Sequence, residues 1–242
     1  MKRICLNYHN LGFSPQIGIN KVHPAIFNNH IRVINHYIQN NPDTLIDVTF
    51  DDAYEDIYHF SVETLNSSLV SKKIIFPISE YIGKANSWDF TFVFNKYMHL
   101  NAKKIKTLSD SGWIVGSHGK THQSLELMTS KEASIELKES KDSIEQIVGR
   151  EVDSFAPPFG VISQRVYDLC VESGYSSIYI QKYKSIKKAK GVELVKRHNI
   201  YSIDRNRNIL SKIDGSDWES RRENFISSFN NLTVFLKKIT RK

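Results

Sequence analysis

At 242 residues, with 40% hydrophobic and 11% aromatic side chains, the chain can bury a sizeable core as one α/β barrel or sandwich; nothing in it is low-complexity or repetitive. No stretch approaches the ~18 continuous apolar residues of a membrane span, and the short apolar run in MKRICLNYHN makes no signal peptide, so a cytoplasmic address is expected. The 33 Lys+Arg against 26 Asp+Glu give +7, concentrated in KYKSIKKAK (Lys182–Lys190) and the terminal KKITRK; without a recognition motif or basic–aromatic groove, this charge does not point to a nucleic-acid partner. A solvated surface, an anionic substrate such as a phosphate-linked sugar, and weak attraction to anionic membrane all fit it. Cys5 and Cys170 lie in apolar patterns and are expected to be buried free thiols.

Strand and helix patterns alternate along the chain. Arg3–Tyr8 reads as a strand, and Pro24 opens a helix with Ile26, Phe27, Ile31, Ile34 and Ile38 near the 3.6-residue period. Leu45–Phe50 is a strand, Asp56–Leu65 a helix and Lys73–Ile78 a strand. The aromatic segment Ser79–Leu100 fits a loop over a site. A helix at Ala102–Ser109 and a strand at Trp113–Gly116 follow. Thr129 and Glu132 form a capping box before a helix to Val148. Then come strand Val152–Ala156, helix Ser163–Ser173 closed by Gly174, strand Ser176–Ile180 and short strands around Glu193–Ile203. A last amphipathic helix is expected over Phe225–Ile239. Repeated βα units imply a parallel sheet in one barrel-like domain spanning 1–242.

In such architectures active groups collect at the carboxyl ends of strands. Asp51 and Asp52 end one strand, and as adjacent acids at a strand end neither is expected to hide in the core. His118 and His122, in GSHGKTH, follow another strand, and His9 follows the first. A His-x-x-x-His spacing puts two imidazoles on one face of a helical turn. With a carboxylate from another strand it supplies two nitrogens and an oxygen, leaving a position open for water, as catalytic zinc-type sites do. One acid can then bind the ion while its neighbour accepts a proton. Without the histidines, a solvated turn or helix N-cap using Asp51 or Asp52 would be the favoured account of the acids.

TFDDAYED, GSHGKTHQSL and FAPPFG, in this order and spacing, resemble the polysaccharide deacetylase (NodB-homology, carbohydrate esterase 4) family over roughly Arg3 to Ile203. The resemblance implies a distorted, incomplete (β/α) barrel of the NodB-homology type. It implies Asp51 as general base and Asp52, His118 and His122 as ligands of a divalent metal. Zn2+ suits these ligands best, with Co2+, Ni2+ or Fe2+ as alternatives. It also implies that Pro158 and Phe159 line the oxyanion site, the Phe159 backbone N–H donating to the oxyanion. The sequence departs from the family pattern at Ala156, where an arginine usually supports the base; Arg197 is a candidate substitute. Ala53 replaces a glycine, Gly119 a hydroxyl residue and Phe159 a tyrosine.

No clean copy of the family's last motif, L-x-H, stands near the C-terminus, where His198 is the nearest candidate. ICLNYHN instead resembles the start of a circularly permuted subgroup acting on poly-N-acetylglucosamine-type polymers, which makes His9 the candidate general acid. Trp88 is a candidate to stack on a sugar and His23 to line the cleft. His30, His36, His59 and His99 are expected to be surface or partly buried structural residues. The implied activity is metal-dependent hydrolysis of an N-acyl, foremost N-acetyl, amide on an amino sugar of a glycan or its precursor. An O-acyl esterase or deformylase on a nucleotide- or lipid-linked sugar, and a non-catalytic carbohydrate-binding relative, are the alternatives.

Overall fold

The computed structural model describes residues 2–13, 19–86, 97–183, 185–219, 221–223 and 225–226. In chain order these form β1 (Lys2–Tyr8), the short pair β2 (Asn10–Leu11) and β3 (Lys21–Val22), α1 (Pro24–Asn40), β4 (Thr44–Asp52), α2 (Glu55–Asn66) and β5 (Lys72–Pro77). Next come α3 (Ala102–Asp110), β6 (Ile114–Val115), α4 (Ser130–Val148), β7 (Ser154–Phe155), β8 (Val161–Ile162) and α5 (Gln164–Glu172). The order ends with β9 (Ser177–Ile180), β10 (Lys182–Tyr183), β11 (Glu193–Asn199) and α6 (Asn206–Asp214).

The main sheet runs β6-β5-β4-β1-β11-β9-β7, with parallel pairing throughout. A parallel bridge between Ser117 and Phe155 brings its two ends together, giving the nearly closed barrel expected of this fold class. All carboxyl ends therefore open on one rim.

The pleat sorts side chains between two environments. Leu6 and Tyr8 of β1, with Val48 and Phe50 of β4, face the helices in the larger core. Tyr8 packs edge-on against Phe27 of α1, at 5.2 Å between centroids. Each such buried side chain stabilises the fold by ~1.5–3 kcal/mol. Cys5, Ile74, Phe76, Ala156, Tyr179 and Val195 form a second, smaller cluster. Above it, parallel register sets Asn7 beside both Thr49 and Asn199, just as Cys5 lies beside Asp47 and Arg197.

Local signals set the helix ends. In α1 the His23 imidazole caps the Ala25 N–H and Pro24 occupies the first turn. The Thr129–Glu132 capping box opens α4, and Gly149, at φ 71°, closes it.

Several expectations are corrected. Among the described residues after 192 stands one seven-residue strand, β11, followed by α6, which the sequence pattern does not reveal. His30 is fully buried, between the Tyr8 hydroxyl and the Asp204 carbonyl. His99 is buried too, and His23 is a helix cap. Trp88 lies outside the described residues, as does the Phe225–Ile239 helix beyond residue 226. Both cysteines are buried and free. Among the described residues no helix is long and apolar enough to cross a membrane.

Candidate active site at the carboxyl ends of the strands

Asp51 and Asp52 end β4, and both are buried, contrary to the expectation for paired acids at a strand end. They part because the chain leaves the extended conformation between them. Asp52 and Ala53 adopt positive φ, 64° and 53°, so their carboxylates engage different groups. The glycine usual at position 53 is thus replaced by a residue held in the left-handed region. A bond from the Leu100 N–H to the Ala53 carbonyl (2.9 Å) contributes to holding it there.

Asp52 faces the two histidines. Its Oδ1 lies 3.6 Å from His118 Nε2 and 3.5 Å from His122 Nε2, and the three donors form one compact group. The His118–His122 segment is not a helical turn, as the spacing had suggested, but a curled loop after β6. Gly119 (φ 82°) and His122 (φ 59°) bend it. One oxygen of Glu136, on α4, accepts from the Lys120 N–H, the Thr121 N–H and the Thr121 hydroxyl, at 2.6–2.9 Å. That single carboxylate fixes the curl, from a helix sixteen residues away whose pattern carries no mark of the role.

The His118 Nδ1–H donates to the Ala156 carbonyl (2.6 Å), and burial pushes the imidazole below its ordinary pKa. Its Nε2 lone pair therefore faces Asp52 uncommitted to a proton. His118 Nε2, His122 Nε2 and a carboxylate oxygen of Asp52 are a donor set that fits a divalent cation of the zinc type. Behind Asp52, His99 donates from Nδ1 to the Asp52 carbonyl (2.7 Å) and stacks on Tyr54 at 4.7 Å. Burial lowers the His99 pKa to about 4, so it serves as a neutral donor.

Asp51 is held from the other side. Arg197, fully buried on β11, makes a two-pronged pair with it: Nη1 to Oδ1 at 2.6 Å and Nη2 to Oδ2 at 3.0 Å. The guanidinium thus comes from the strand beyond β1, not from Ala156, which is buried in the barrel interior. Asn7 donates to Asp51 Oδ2 and to Asn199, while its own oxygen accepts from Thr49 and Arg197. All four hydrogen bonds of that amide are satisfied. Burial alone would push the Asp51 carboxyl up, but the Arg197 guanidinium, together with His118 and His9 nearby, outweighs it and holds the carboxyl well below the usual carboxylate range. His9 Nε2 lies 3.8 Å from Asp51 Oδ2. His198, pointing to the opposite face of β11, bonds Glu223 instead and is not part of the site.

Phe159 sits in the turn after β7 at φ 67°, ψ 1°, with its ring 5.3 Å from that of His122, and Pro158 packs beside the Gly119 bend. Asp52, Ala53, His122 and Phe159 are the four non-glycine residues with positive φ among those described, and all stand at this rim. Such conformations cost ~1–3 kcal/mol each and persist where surrounding structure enforces them.

Fold and donors together define a parallel (β/α) barrel with a candidate metal centre at its carboxyl rim. The chain belongs to the polysaccharide deacetylase family, whose sequence profile matches residues 38–178, more than half of the chain. It is 25% identical over 144 residues to the peptidoglycan-N-acetylmuramic acid deacetylase PdaA of Bacillus subtilis, covering 59% of this chain and 49% of that protein. The chain thus spans about half the length of this curated relative. Among solved structures it resembles the Streptococcus pyogenes deacetylase PplD, with a TM-score of 0.70 and 17% identity over 88% of this chain and 98% of that one. It also resembles IcaB from Ammonifex degensii, with a TM-score of 0.69 and 16% identity over 90% and 97%. At these identities the two structures establish the fold.

Proposed function

We propose that the protein hydrolyses an N-acyl, foremost N-acetyl, amide on an amino sugar of a polysaccharide or its precursor. The observation that carries this reading is the pairing of two unlike sites. A buried carboxylate held ionised by Arg197 adjoins a three-donor set formed by Asp52, His118 and His122. Family membership and the deacetylase relatives support the same class.

Asp52, His118 and His122 would hold the ion, which when bound polarises an acyl carbonyl and acidifies water. Asp51 is the general base. Arg197 and Asn7 occupy three of its roughly four lone-pair sites, and the remaining one, on Oδ1, is available to the proton of an attacking water. The Phe159 N–H assists the developing oxyanion. His9, beside Asp51, is the general acid that protonates the departing amine.

The test is acetate release from N-acetylated amino-sugar oligomers, with and without chelator. Release abolished by chelator and restored by zinc supports the proposal. Sugar binding without release, or cleavage of O-acyl esters alone, contradicts it.

A further inference from the structure

Asp51 ends β4, and the Phe159 turn follows β7; in the sheet, β1, β11 and β9 lie between those two strands. Each of the three intervening strands supplies one amide side chain to a continuous line of hydrogen bonds along the rim. Asn7, on β1, donates from Nδ2 to Asp51 Oδ2 and to Asn199 Oδ1, both at 3.0 Å. Asn199 is the last residue of β11. Gln181, directly after β9, donates from Nε2 to the same Asn199 oxygen at 3.1 Å. The Gln181 N–H donates to the Gly160 carbonyl (2.8 Å), and its side chain fills the space that a Cβ on Gly160, at φ 68°, would need. The line therefore runs from the base to the residue beside Phe159.

The polarity of these bonds has a consequence. Asn199 Oδ1 receives two donors, one from each side; turned over, its NH₂ group would oppose both. Gln181 thus helps to decide which way Asn199 faces. Asn199 in turn aims one N–H of Asn7, whose other N–H holds Asp51. Asn7 and Asn199 are both buried, so a lost partner leaves a polar group unsatisfied. β9 is already joined to β11 and to β7 by backbone pairing, so the Gln181 side chain is not needed to hold the strands together.

We propose that Gln181 is a positioning residue that couples the oxyanion turn to the base. Its backbone and side chain seat the turn at Gly160, while its amide orients Asn199, Asn7 and, through them, Asp51. This rests on the deacetylase reading and adds to it the device that sets the two reacting groups in register.

The test is a double-mutant cycle read as acetate release from N-acetylated amino-sugar oligomers. Q181M keeps a side chain of similar length against Gly160 but removes the amide. It should lower kcat about tenfold with KM within about twofold, because the loss falls on alignment at the reacting centre. N199A should lose a similar factor, and Q181M/N199A should be within about twofold of N199A alone. Q164M removes an amide on α5 that bonds the Lys187 backbone (2.7 and 3.2 Å), and should leave kcat unchanged. A kcat for Q181M within twofold of wild type, or losses in Q181M and N199A that multiply, would overturn the proposal.

The side-chain amide NMR signals of Asn7 and Asn199 give a readout that needs no turnover. In Q181M they should shift while the backbone spectrum remains that of the folded protein. If the wild type releases no acetate but these signals move, the deacetylase reading fails and the Gln181 tie stands. If the Asn7 signal stays in place, the tie fails whatever the turnover.

Discussion

Of the three buried aspartates of β4, two are each paired with an arginine, and they behave in opposite ways. Asp47 lies toward the amino end of the barrel and meets Arg3 through one bond, Nε to Oδ2 at 2.7 Å. That arginine is 23% exposed and shared with Glu193, and Asp47 Oδ1 has no hydrogen-bond partner among the described residues. Burial therefore dominates and raises the Asp47 pKa. Asp51, four residues on, has both prongs of a fully buried Arg197 and the Asn7 amide as well. Residue type and strand are the same, but the number and burial of donors decide which carboxylate stays charged. Asp47 staples strands together, whereas Asp51 is equipped to remain a base.

The largest test of this contrast removes the arginines. R197M leaves a buried carboxylate without its counter-ion and should cost about 3–5 kcal/mol in urea unfolding. R3M acts at a partly exposed pair and should cost about 1 kcal/mol or less. In R197M the acid limb of the pH–rate profile should also move upward, because the effect of burial on Asp51 then loses its strongest opponent; R3M should leave it in place.

A second test concerns the ligand beside the base. H99F keeps the stack on Tyr54 but deletes the donor to the Asp52 carbonyl, and should weaken zinc affinity about tenfold by calorimetry.

The smallest effect is in stability against pH, measured on chelator-treated protein. A depressed folded pKa makes Asp51 stabilising above its unfolded value of ~3.9, a contribution lost as pH falls toward the folded value. A raised folded pKa gives Asp47 the opposite sign: its contribution declines as pH rises above ~3.9. Above about pH 4, D47N should therefore gain stability relative to wild type as pH rises, whereas the deficit of D51N should be full there and shrink as pH falls below about 4. Curves of the same sign for both variants would break the contrast.

Much of this was legible in the sequence because alternating βα patterns and strand-end motifs are local. Asp51, Asp52, His118 and His122 stood out by spacing, and Arg197 was a candidate from a neighbouring strand. What stayed hidden depends on register or on distant elements. Asn7 becomes a hub only because β1 lies between β4 and β11, with Thr49 and Asn199 on either side. Glu136 and His99 act through backbone groups of loops they do not adjoin in sequence. The curl at His118–His122 shares its four-residue spacing with a helical turn, so spacing alone does not separate the two; Gly119 (φ 82°) is the local mark of the curl. α6 escaped notice because its arginine-preceded start offers no conventional capping residue, although Gly215 (φ 79°) marks its end.

The division of labour between the adjacent acids is tested most directly by measuring zinc binding and acetate release on D51N and D47N in parallel. D51N should bind zinc within about threefold of wild type while losing about 10²–10⁴ in turnover, and D47N should keep turnover within a few-fold. Acetate release by D51N at the wild-type rate would contradict the account.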